Sequence, residues 1–221
     1  MPRRLLQLLV GLFLYGFAIA LIVRAGYGVA PWDVLTQGLS RVTGLGFGLV
    51  TVLTSGVVLL LWIPIRQRPG LGTVANALLV GPFADIGLQL VPAGLDPGLR
   101  AVLLPAGILL LGIATGLYVG ARFGPGPRDG LMTGLHARTG LPLWLVRTGI
   151  EATVLAVGWL LGGQVGIGTV AFALLIGPIC GRTIPFFTVP VAGRADAPAG
   201  DAPPTAPVPA LTIATPTAPR T

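Results

Sequence analysis

Apolar positions in this chain come in blocks long enough to cross a bilayer, separated by short stretches of Gly, Pro, Arg and Asp. Six blocks, at 5–23, 47–65, 71–91, 99–119, 141–161 and 167–187, each approach the roughly 20 residues that a transmembrane helix needs. Two segments between them break the pattern. In 24–46 the residues Gly26, Gly28, Pro31, Asp33 and Arg41 crowd together, and in 124–138 the run Gly124-Pro-Gly-Pro-Arg-Asp-Gly130 does the same. The helical parts expected there, 31–42 and 127–138, are too short to span. Proline suits the first turn of a helix, where its missing N–H is no loss, and Asp33 and Asp129 then lie in that turn, favourable to the helix dipole. The expected fold is therefore an all-α membrane protein with six spans and two short re-entrant or interfacial helices.

The blocks repeat. Gly72-Thr-Val-Ala-Asn-Ala-Leu-Leu-Val-Gly-Pro82 returns as Gly168-Thr-Val-Ala-Phe-Ala-Leu-Leu-Ile-Gly-Pro178, identical at nine of eleven positions and displaced by 96 residues. The same offset links Gly16 to Gly112, Gly28 to Gly124, Pro31 to Pro127, Asp33 to Asp129, Gly38 to Gly134 and Gly44 to Gly140. A constant register over so much of the chain is a tandem duplication, with boundaries expected at 1–96 and 97–191. Three spans per repeat is an odd number, so the second copy enters from the opposite face and the repeats are inverted. Were the Pro31 and Pro127 segments full crossings, each repeat would have four spans and the copies would be parallel. The first block follows Arg3 and Arg4 and contains Ala18-Ile-Ala20, which imitates a secretory signal. Its length and its mid-chain repeat mate make it an uncleaved span.

Composition agrees with a bilayer: 53% of residues are hydrophobic and 10% charged, with mean hydropathy +0.88. All fourteen basic residues are arginine, spread singly between apolar runs, so the net charge of +7 implies no nucleic-acid surface. With the N-terminus inside, arginines in the expected inside segments outnumber those outside by eight to three, which places both termini in the cytoplasm. One cysteine, Cys180, excludes an internal disulfide, and one histidine, His136, excludes a His/Cys metal cluster; no metal or cofactor is expected. Seven of the twenty-one prolines lie between Pro198 and Pro219, and 192–221 is expected to be a disordered tail.

The residues Gly-Val-Ala-Pro31-Trp32-Asp33-Val, paired with Gly124-Pro-Gly-Pro-Arg128-Asp129-Gly-Leu-Met132 and followed by Arg147, Glu151 and Gly166-Ile-Gly-Thr169, resemble the YczE/YyaS/YitT group of bacterial integral membrane proteins. The likeness covers roughly residues 10 to 185. It implies a multi-pass protein of a bacterial inner membrane and carries no settled chemistry.

The candidate site residues are Asp33, Asp129, Trp32 and Arg128 at the two broken segments, Asn76 in the third span, and Arg147 with Glu151 in the fifth. Glycine-loosened turns beside short helices in opposed repeats are the form of paired broken helices meeting at mid-membrane, where a solute or ion binds. The plain alternative is that both aspartates only stabilise helix starts. Arg147 and Glu151, four apart, share a helix face, and ionisable residues inside a membrane call for a partner. They are expected either to clamp the fold or to join the same polar cavity. Small-residue spacings such as Gly112-Ile-Ala-Thr-Gly116 suit helix packing or a homo-oligomer. No nucleophile, metalloprotease or phosphate-loop motif is present, so no enzyme is expected. A small-solute or ion transporter leads, a membrane scaffold or regulatory protein is the alternative, and an intramembrane enzyme comes third.

Overall fold

The computed structural model describes residues 1–190; the expected tail at 192–221 lies outside the described residues. Eight helices and no strand occur among the described residues: α1 (Pro2–Ala25), α2 (Pro31–Thr43), α3 (Phe47–Ile65), α4 (Leu71–Leu90), α5 (Pro97–Gly120), α6 (Pro127–Thr139), α7 (Leu143–Leu160) and α8 (Ile167–Phe187). Six of them, all but α2 and α6, are long and apolar enough to span a membrane. The helix boundaries follow local chemistry. Proline opens α2 and α6, and each ends at a left-handed glycine whose N–H returns to the preceding turn, Gly44 to Ser40 O and Gly140 to His136 O, both at 2.9 Å. Prolines 64, 82, 105, 178 and 185 lie inside helices, as they do in membrane spans whose freed backbone groups find other partners.

The centre of the packing is the pair α1 and α5, which occupy equivalent places in the duplication. They run antiparallel. Gly11 of α1 abuts Tyr118 of α5, while Gly107 of α5 abuts Ile22 of α1, and these two contacts are each other's counterparts at the offset of 96 residues. Around this pair, α4 packs on α1, and α8 on α5, in parallel fashion: Gly16 meets Phe83 and Gly87 meets Ala20, matched by Gly112 on Ile179 and Gly116 on Thr183. Leu8, Leu12, Ile19, Ile22, Ile108, Leu111 and Tyr118 are buried between these four helices. Farther out, α2 lies on α7 and α6 on α3, with Trp32, Val58 and Trp62 forming a second cluster.

Charged side chains obey the same exchange. Arg4 donates from Nε to Ala121 O and from Nη2 to Arg122 O, both at 3.0 Å, closing the end of α5. Its counterpart Arg100 donates to Ala25 O at 2.8 Å and Gly26 O at 3.4 Å, closing the end of α1. Arg4 stacks over Phe123 and Arg100 over Tyr27, at 4.6 and 5.1 Å.

Candidate functional site

The turns that enter α2 and α6 are strapped to the first turns of α8 and α4. Gly168 N–H donates to Tyr27 O at 2.7 Å, and Gly72 N–H to Phe123 O at 2.9 Å. Gly28 and Gly124 have φ of +108° and +114°, and a Cβ on either would strike Gly166 and Thr169, or Gly70 and Thr73. Glycine is required there on both counts, by conformation and by close backbone approach. Thr73 adds a bond to Pro125 O at 2.7 Å, and Trp62 Nε1 donates to Pro127 O at 3.0 Å, so the start of α6 is held from two sides.

Held in this way, the N-terminal turns of α2 and α6 meet. The Arg128 guanidinium lies over the Trp32 ring at 5.0 Å and reaches Asp33, with Nη1 3.8 Å from Oδ1. Trp32 and Arg128 are counterparts at the offset of 96 residues, so the point where they touch lies between the two copies. Asp33 is 2% exposed and Trp32 7%, and neither Asp33 Oδ1 nor Trp32 Nε1 has a hydrogen-bond partner among the described residues. Asp129 accepts a hydrogen bond from Tyr118 Oη at 2.9 Å, and the Tyr118 ring packs edge-on against Tyr15 at 5.7 Å.

Beside this junction is a polar cavity of about 40 Å³, bounded by Tyr15, Thr51, Ser55, Asn76, Tyr118, Arg128 and Asp129. At roughly 15 Å³ of free volume per molecule it holds two or three waters, or a small ion. Its lining holds one carboxylate, Asp129, and one guanidinium, Arg128, whose Nη1 also reaches Asp33, while the hydroxyl and amide groups of Thr51, Ser55 and Asn76 offer both donors and acceptors.

The structure therefore brings together Trp32, Asp33, Asn76, Arg128 and Asp129. It does not bring in Arg147 and Glu151. Those two pair with each other, Nε to Oε1 at 2.9 Å, but they face a separate groove of about 630 Å³ between α7 and α8. The expectation of one shared cavity is corrected here: α7 stands apart from α8, so the polar face of α7 opens outward. The groove is nevertheless the counterpart of the cavity. Pro31, Arg147, Glu151, Phe172 and Ile176 border it, and 96 residues apart from them Pro127, Thr51, Ser55, Asn76 and Val80 border the cavity.

Sequence reasoning missed Tyr15 and Tyr118. Their counterparts are Leu111 and Ile22, so at each of the two positions one copy has a phenol and the other an aliphatic side chain, and that asymmetry was the available signal. Among the described residues no group of His, Cys, Asp and Glu could hold a metal ion.

Comparison with known proteins follows the same lines. Residues 2–185 match the model of DUF6198, a family of unknown function. The chain belongs to that family. It is 40% identical over 172 residues to an uncharacterized protein of Haemophilus influenzae, covering 78% of this chain and 79% of that protein. It is 31% identical over 177 residues to the uncharacterized membrane protein YczE of Bacillus subtilis, covering 79% and 82% of the two chains. A further likeness is to the uncharacterized protein YyaS of the same bacterium, 27% identical over 172 residues and 76% and 86% of the two chains. No solved structure matches. This DUF6198 member is thus a membrane protein of the YczE-like group, as its motifs suggest.

Proposed function

We propose that this protein is a small-solute or ion permease of the bacterial inner membrane, built from inverted repeats, with its site where α2 and α6 meet. The observation that carries this is the pairing of two counterpart pockets of unlike size, one of about 40 Å³ and the other of about 630 Å³. Inverted repeats that exchange conformations give two oppositely facing states, and any one structure then holds the copies unequal. The antiparallel course of α1 and α5 supports the inversion, since equivalent spans in parallel repeats would run the same way. The buried Asp33 and the more exposed Asp129, beside the one Arg128 guanidinium, favour a cation, a zwitterion or a proton-coupled solute over an anion.

Ligand-dependent thermal stabilisation of the purified protein tests this, because a molecule that binds the native state raises its apparent stability. A hit among small amines, amino acids or monovalent cations that disappears in Asp129→Asn supports the site. A panel without a hit favours the scaffold reading. The inverted orientation, with both termini cytoplasmic, has its own test. In a protein lacking Cys180, an impermeant thiol reagent added outside should label a cysteine at Ser40 and spare one at Gln67. The reverse pattern removes the inversion.

A further inference from the structure

We propose that the groove between α7 and α8 binds a membrane amphiphile whose head carries both a cation and an anion, with the chemistry of an ethanolamine phospholipid. Its walls are mostly apolar, from Leu155, Val170, Phe172 and Ile176, with Thr148 and Thr169 and one ion pair, Arg147/Glu151, as the polar groups. That pair is half used. Arg147 spends Nε on Glu151 Oε1 at 2.9 Å, while its two terminal nitrogens and Glu151 Oε2 make no bond among the described residues. The arginine side chain is 51% exposed and the glutamate 28%, on a span long and apolar enough to lie in lipid. Unsatisfied donors in hydrocarbon are costly, so this face calls for a polar occupant.

The free groups specify its chemistry. Two guanidinium nitrogens in a planar fork match a phosphate, and a free carboxylate oxygen accepts from an ammonium. Depth fits as well. At 1.5 Å rise per residue, Arg147 and Glu151 lie about 6 and 12 Å along α7 from its first residue, inside one leaflet of a core about 30 Å thick. A head group reaches that depth from the nearer face while its chain lies along the apolar walls. The room is there because α7 and α8 are barely covered: 11% and 6% of their most apolar stretches are buried, against 33% or more in the other four spans. An added Cβ at Gly177 would meet nothing within 4 Å. This inference does not rest on the transport reading.

Native mass spectrometry of the delipidated full chain, titrated with dioleoyl phosphatidylethanolamine or dioleoyl phosphatidylglycerol, tests it. The two probes share their chains and differ in the ammonium. The wild type should hold the ethanolamine lipid about tenfold more tightly, the scale of one charge-assisted contact. Arg147→Ala/Glu151→Ala, which strands no charge, should bring the two lipids to parity. Ala173→Trp, filling the groove, should lose both. Asp129→Asn should keep the preference, so loss of solute binding at the central cavity is told apart from loss of lipid binding here. Equal retention of the two lipids by the wild type, an unchanged preference in the double variant, or a lipid-free dimer closed over the groove would overturn the proposal.

Discussion

The α3/α4 pair and the α7/α8 pair stand 96 residues apart in the chain and pack differently. In the first, Gly48 and Gly81 let two backbones touch, and Asp85 accepts the Gly48 N–H at 2.8 Å. The counterparts of these three residues are Trp144, Gly177 and Gly181. An indole stands in place of the Gly48 hydrogen atom, and the lost carboxylate removes the cross-helix bond. Trp144 is 67% exposed, and Gly177 and Gly181 have open space where a side chain would go. The backbone straps at Gly28 and Gly124 are alike in the two copies, while the side chains between the outer helix pairs differ. One copy encloses hydroxyls and an amide; the other presents an ion pair in an open groove.

The sharpest way to break this comparison is to place the same bulk at both counterparts. Gly81→Leu drives a side chain into the Gly48 carbonyl and Val52, and overpacking against backbone should cost about 3 kcal/mol. Gly177→Leu meets nothing and should stay within about 0.5 kcal/mol of wild type. Thermal unfolding in one detergent measures both, and equal losses would mean that α7 and α8 close as tightly as α3 and α4. Next in size is Tyr118→Phe, which deletes the hydrogen bond to Asp129 and should cost about 2 kcal/mol, the range for a bond to a charged group.

The ion pair sharpens the comparison from the open side. Glu151→Gln leaves Arg147 without its partner and should cost about 1 kcal/mol, less than for a buried pair because both side chains are partly exposed. Arg147→Gln/Glu151→Gln should recover part of that loss, as expected when removing one partner strands the other. Folding yield and melting temperature of the three variants form the cycle, and strictly additive losses would show that the two residues do not interact.

Much of the fold was legible because spans are written in consecutive apolar residues. Phe47–Ile65 and Ile167–Phe187 match their expected bounds, and the short helices at Pro31 and Pro127 follow from proline and glycine placed 96 residues apart. The site was half legible. Asp33, Asp129, Trp32, Arg128 and Asn76 stood out as polar residues at broken or apolar segments, and they do converge. Tyr15 and Tyr118 did not stand out, because an aromatic in a membrane span reads equally well as packing. The placing of Arg147 and Glu151 was not legible at all: their spacing gives a shared helix face, but which way that face turns depends on how α7 sits against α8.

The smallest expected effect tests the part of the molecule where the copies agree. Arg4 and Arg100 each donate two hydrogen bonds to carbonyls at the end of the other copy's first helix, at 2.8 to 3.4 Å. Both act as helix C-caps, closing carbonyls that have no partner within their own helix and adding a favourable charge to its negative end. Both caps are partly exposed, so Arg4→Ala and Arg100→Ala should each cost about 0.5–1 kcal/mol, and by nearly the same amount. The two caps close opposite ends of the antiparallel pair α1 and α5 and share no partner, so their losses should add in the double variant. Thermal unfolding of the two single variants and the double decides it. A large loss for one arginine and none for the other would mean that α1 and α5 are not held equivalently, and the asymmetry seen at α3/α4 and α7/α8 would then reach the centre of the fold.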